Sequence, residues 1–299
     1  DISLKKLGLK LKRVKVGDKN ILKEIIDNKY FFGSIAFQEK NFSLGIDVNS
    51  FKLNDTGLNS SLANLSYVYK IQLSNYTFFL PGITVGLGSS RVNVENLTFE
   101  DQLNTSTGFI STESIDPLAP IISDINYFDL GASFIIHNEY YLVGLSLKHL
   151  NKPNVSFNKE VPFAKPISIG LQGAYEFNIN PFERGFLPRF SYLYTYLNFR
   201  KYGDSMYIAL GQDFQLGEFS LGFTQQGGSV DSFALNNFGL TLGLALENFD
   251  FGINYNFANR KPGTVFSPSI FELSIIFDFS IYRRNNRGLY KKLQIDNYY

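Results

Sequence analysis

Apolar and polar residues alternate along most of this chain with a period of two. Phe271, Leu273, Ile275, Phe277 and Phe279 fall on one side of a strand, and Glu272, Ser274, Ile276, Asp278 and Ser280 on the other. Phe249, Phe251, Ile253, Tyr255 and Phe257 oppose Asp250, Gly252, Asn254, Asn256 and Ala258. Phe238, Leu240, Leu242, Leu244 and Leu246 oppose Asn237, Gly239, Thr241, Gly243, Ala245 and Glu247. Ile167, Ile169, Leu171, Tyr175 and Phe177 oppose Ser168, Gly170, Gln172, Ala174 and Glu176. One face is bulky and almost uncharged, while the other is small as well as polar. A soluble sandwich also alternates, but a barrel with lipid outside and water inside accounts for both properties of the polar face.

The alternation predicts about fourteen strands. They fall at residues 2–16, 30–38, 41–51, 61–73, 76–89, 126–137, 140–150, 166–177, 187–199, 205–215, 218–226, 235–247, 249–258 and 269–281. Most are long enough to cross a bilayer at a tilt. The connections alternate long and short. The long ones are 17–29, 52–60, 90–125, 151–165, 200–204, 227–234 and 259–268. Outer-membrane barrels keep short turns in the periplasm and long loops outside, and an even strand number returns both chain ends to the periplasm. The expected fold is therefore an all-β, transmembrane, antiparallel up-and-down barrel over residues 1–281, with outer loops 90–125 and 151–165. Residues 282–299 form a short basic periplasmic tail carrying Arg283, Arg284, Arg287, Lys291 and Lys292.

Composition closes off the alternatives. A net charge of +1 over 299 residues excludes a general nucleic-acid binder, which needs a marked basic excess. Cys is absent, so disulfides and thiol chemistry are excluded. A mean hydropathy of −0.07 and the lack of long apolar runs argue against membrane helices. Residues 1–13 carry five Lys or Arg and no apolar core of a signal peptide, so the chain reads as a mature or trimmed form. The basic residues Lys5, Lys6, Lys10, Lys12, Arg13 and Lys15 suit either lipid phosphates or a solvated lumenal strand.

Sites for chemistry are sparse, and no cofactor is expected. His137 and His149 are the two imidazoles, and the strand order puts them at opposite ends of the barrel, so they cannot share one hydrolytic site. The carboxylates Asp213, Glu218, Asp250, Glu272 and Asp278 read as a solvated lumen wall paired with Lys70, Lys148 or Arg189 rather than as a calcium loop. Gly86 and Gly88 sit within a strand and open no helix, so they form no phosphate loop.

Residues 127–132 (YFDLGA) are followed by residues 140–157 (YYLVGLSLKHLNKPNVSF). Asp129, Gly131 and Ala132, then Gly144, Ser146, His149, Leu150 and Pro153, resemble the D-x-G-A and G-x-S-x-x-H-L-x-x-P motifs of the PorP/SprF family of the Bacteroidota type IX secretion system. Phe99, Asp101 and Gln102 resemble its F-x-D-Q loop, and Gly170, Gly173, Tyr175 and Phe177 a following strand. The likeness covers roughly residues 30–281. The Asn-Pro-rich opening common in the family does not appear before Asp1, so either the chain starts late or this member differs; Trp is absent, so Tyr and Phe must supply the interfacial girdles.

The resemblance implies a non-enzymatic outer-membrane barrel that assists export or surface anchoring of adhesin-like cargo, including gliding adhesins. The partner would be the cargo's C-terminal domain, with a link to the periplasmic secretion ring. Phe99, Asp101, Gln102, His149, Asn151 and Pro153 are the candidate partner-binding or loop-ordering residues. The alternative from the residues themselves is a passive diffusion channel or uptake barrel, favoured by the small, polar lumen face.

Overall fold

The computed structural model describes residues 2–16, 24–37, 40–53, 57–93, 97, 99–103, 114, 124–158, 160–183, 185–229, 233–246, 248–258, 269–279 and 292–293. Fifteen strand segments follow in order: β1 Ile2–Val16, β2 Glu24–Phe37, β3 Phe42–Leu53, β4 Asn59–Tyr69, β5 Ile71–Ser74, β6 Thr77–Arg91, β7 Ile125–His137, β8 Tyr141–Lys148, β9 Ser168–Asn178, β10 Ser191–Tyr202, β11 Ser205–Leu216, β12 Phe219–Ser229, β13 Phe233–Ala245, β14 Phe249–Ala258 and β15 Ser269–Asp278. Each pairs antiparallel with its neighbours, β1 pairs with β15, and β4 and β5 both pair with β6. The ring is closed, and the expected fourteen-strand barrel is the fold. β4 and β5 share one position in the wall.

Closure matters because a bilayer offers no partner to an unpaired N–H or C=O. The bulky face of each strand points outward. Leu65, Leu87, Leu242 and Ile253 are exposed, Leu87 to 68%. In water such a surface would aggregate, whereas in hydrocarbon it is the favoured state.

Several strand boundaries differ from the sequence reading: β2 begins at Glu24 rather than 30, inside the segment read as the loop 17–29, and three other differences have a local reason. The strand predicted over 61–73 is broken at Lys70, whose N–H bonds Asn41 O at 2.7 Å. Pro81 of β6, with no N–H to give, stands opposite the break. β8 ends at Lys148 rather than 150 because His149 takes the left-handed conformation (φ 61°). β10 begins at Ser191 rather than 187. Asn180 Nδ2 donates to the carbonyls of Leu187 and Pro188 at 3.1 and 3.0 Å and holds 179–190 as a folded turn.

The connections at one rim are 38–41, 75–76, 138–140, 179–190, 217–218 and 246–248; Ile2 and Asp278 end at this rim as well. The opposite rim carries 92–124 and 149–167. The alternation is not strict. On the long-loop rim β10 and β11 meet in a tight hairpin, Tyr202 opposite Ser205, turned by Gly203 at φ 56°.

Candidate functional site

At the long-loop rim the two motif segments meet. Asp129 lies on β7, and His149 is the first residue beyond β8. His149 Nδ1 and Asp129 Oδ2 are 2.8 Å apart, and both residues are buried. The imidazole and the Tyr202 ring pack in a T-shaped pair at 6.1 Å between centroids. Burial pulls the His149 pKa below its ordinary value, and the Asp129 hydrogen bond opposes that shift. In its neutral form the imidazole donates Nδ1–H to the Asp129 carboxylate.

The left-handed turn at His149 would leave the edge of β7 unpaired, and Asn151 completes it. Leu150 N–H donates to Leu130 O at 3.0 Å, Leu130 N–H to Asn151 Oδ1 at 3.0 Å, and Asn151 Nδ2 to Phe128 O at 2.7 Å. Pro153 is buried and accepts Lys165 N–H at 2.8 Å. Lys165 Nζ donates to Tyr127 Oη at 3.1 Å and lies 4.8 Å over its ring. Beyond this root the loop folds on itself. Asn154 Oδ1 accepts from Ser156 N–H and Phe163 N–H at 3.1 and 2.9 Å, and Val155 N–H donates to Phe163 O at 2.8 Å. Val161 and Phe163 stand out from it, 62% and 59% exposed.

Phe99, Asp101 and Gln102 form a second, separate knot. A single 3-10 turn spans Glu100–Gln102. Buried Gln102 folds back so that its Oε1 accepts Phe99 N–H at 2.8 Å, and Ser114 Oγ donates to Asp101 at 2.9 and 3.1 Å. Arg91 and Asp124, 3.1 Å apart, tie the root of 92–124. Residues 104–113, with most of the Ser/Thr-rich stretch, and Pro117 and Pro120 lie outside the described residues. So do Arg283, Arg284, Arg287, Lys291 and, in the basic first strand, every side chain named above but Lys10.

The lumen holds a cavity of about 810 Å³ lined by Lys10, Tyr196, Arg200, Asp213, Asn254 and Glu272 among others. Three ion pairs differ from those expected for Glu272, Asp213 and Arg189. Lys10 faces Glu272 at 3.6 Å, Asp213 takes Lys292, and Arg189 bonds Glu183 in a turn at 2.7 Å. The tyrosines narrow the lumen: the Tyr196 ring lies over Gly211, where a Cβ would overlap it, and Tyr196 Oη reaches Thr224 Oγ1 at 3.1 Å.

Lys292 and Leu293 also lie here. Lys292 N–H donates to Glu176 Oε1 at 2.8 Å and Leu293 N–H to Glu176 Oε2 at 3.0 Å. Lys292 Nζ contacts Asp213 and lies 5.2 Å over the Tyr194 ring. Glu176 is 2% exposed and Leu293 is buried. Alternation already placed Glu176 on the polar face. Nothing in the local pattern of the tail signals this contact.

A family model described as type IX secretion system membrane protein PorP/SprF matches residues 22–277. Comparison with curated proteins gives no match. Among solved structures, the deltaS2 mutant of the TodX monoaromatic hydrocarbon channel is similar with a TM-score of 0.52 and 13% identity, over 94% of this chain and 90% of that one. The CymD monoaromatic hydrocarbon channel is similar with a TM-score of 0.51 and 12% identity, over 94% and 88%. At such identity the likeness is one of fold.

Proposed function

The chain belongs to the PorP/SprF family of type IX secretion system membrane proteins, and on that premise we propose that it is a non-enzymatic accessory that assists export or surface anchoring of adhesin-like cargo. The cargo's C-terminal domain docks on the long-loop rim, and the opposite rim faces the periplasmic secretion ring. The observation that carries the reading is the loop 149–167. It is bonded to β7 through Asn151 and the His149–Asp129 pair, yet it presents Val161 and Phe163 to solvent. Exposed apolar side chains on a pre-ordered loop suit protein recognition, because little entropy is lost on docking. On this reading His149, Asn151 and Pro153 position the docking surface, and Phe99, Asp101 and Gln102 order the neighbouring loop.

Purification of the tagged full chain in mild detergent, followed by mass spectrometry, tests this. One large secreted protein should co-elute through its C-terminal domain and be lost from a Val161→Asp, Phe163→Asp double variant. Deleting residues 104–114 should likewise release cargo from cells. A well-folded barrel that co-elutes with nothing would sink the anchor reading. The second reading is a diffusion channel, favoured by the polar cavity of about 810 Å³. A stable large single-channel conductance in planar bilayers, with no retained cargo, would support it.

A further inference from the structure

Glu176, Tyr194 and Asp213 are lateral neighbours on β9, β10 and β11: Tyr194 is opposite Glu176 on one side and opposite Asp213 on the other. All three point into the lumen, two or three residues from their strand ends at the short-turn rim. The strand ladder sets their spacing, so the row is formed before anything lies on it. One carboxylate accepting two successive main-chain N–H groups recognises peptide backbone, whatever the side chains. Asp213 with the face of Tyr194 selects a cation at the first position. The burial of Leu293 selects an apolar residue at the second.

We propose that Glu176, Tyr194 and Asp213 form a peptide-binding site on the inner wall for a basic residue followed by an apolar one, and that Lys292–Leu293 is its exchangeable occupant in cis. The geometry permits the tether. The barrel chain ends at the same rim, on β15, four to six strands around the ring from the site. A ring of fourteen strands is roughly 28 Å across at the usual spacing and tilt. The thirteen steps from Phe279 to Lys292 reach up to about 45 Å when extended. Tethering gives the dipeptide a local concentration in the ~mM range, so it holds the site against dilute competitors and yields to concentrated ones. The inference does not depend on the cargo reading, since it concerns the opposite rim and needs no partner.

The chain has no cysteine, so a nitroxide on Gln294→Cys reports the dipeptide alone. In the full chain in detergent micelles its spectrum should be immobilised. Glu176→Gln and Asp213→Asn should each raise the mobile fraction severalfold, with strand circular dichroism unchanged. Excess synthetic peptide of residues 288–299 should release the label, and the same peptide carrying Lys292→Glu should do so about tenfold less well, the loss of one charge-assisted contact. A label as mobile in the parent as in urea would overturn the proposal, as would a spectrum indifferent to both variants. An immobilised label that excess peptide never releases would also overturn it, by making the dipeptide a fixed part of the fold.

Discussion

At the long-loop rim, stability rests on single side chains that replace a missing stretch of ladder. Asp129→Ala strands the buried His149 imidazole, and the expected cost is about 1–3 kcal/mol of stability, read as a lower urea midpoint in micelles. Asp129→Asn keeps an acceptor and should cost less. The same pair gives the rim a pH dependence. Burial holds the His149 pKa down, so opening the loop binds a proton that the closed form does not. The contribution is complete above the ordinary histidine range and is lost as pH falls through it. Limited proteolysis within 154–164 should therefore speed up on acidification in the parent and not in His149→Gln. The motifs made Asp129 and His149 legible as residues of interest. Their pairing was not, because it depends on how far β8 runs before the left-handed residue ends it.

Among the elements, facing was legible on the strands whose faces the alternation assigned, while most strand ends were not, β1 and β14 excepted. Period-two alternation is a property of each strand by itself, so the outward set Phe238, Leu240 and Leu242 could be read directly. The break at Lys70 depends on Pro81 in the neighbouring strand, and the late start of β10 on Asn180 in the preceding turn. The first is a relation between neighbouring strands, and the second is a side-chain bond within one turn that period-two alternation does not read. Facing has a direct test on β13. Leu242 is exposed to lipid, so Leu242→Arg should cost about 2–4 kcal/mol near mid-membrane and impair assembly. Thr241 lines the lumen and accepts Asn254 Nδ2 at 2.6 Å. Thr241→Arg loses that bond but keeps its charge in water, so it should still assemble. Heat-modifiable gel mobility separates the two outcomes, and equal tolerance would reverse the facing.

For the molecule as a whole, the two rims differ in kind. The short-turn rim gathers both ends of the barrel chain and the Lys292–Leu293 site, while the long-loop rim carries the folded loop with Val161 and Phe163. Barrels of this class keep short turns in the periplasm, which would put the docking loop on the cell surface and the lumenal peptide site on the side of the secretion machinery. Orientation is a claim about insertion rather than contacts, so it needs its own measurement. An epitope inserted after Glu160, an exposed residue of the loop, should bind antibody on intact cells. One placed in the 75–76 turn should bind only after permeabilisation, and so should one appended after Tyr299. The turn and the loop are far enough apart that a correctly closed barrel cannot show both on one side. If the loop were silent and the turn exposed, the barrel would be inverted and secreted cargo could not reach Val161 and Phe163. The anchor reading would then fail even though every strand pairing stood, because the fold constrains which surfaces exist and only insertion decides which partners can meet them.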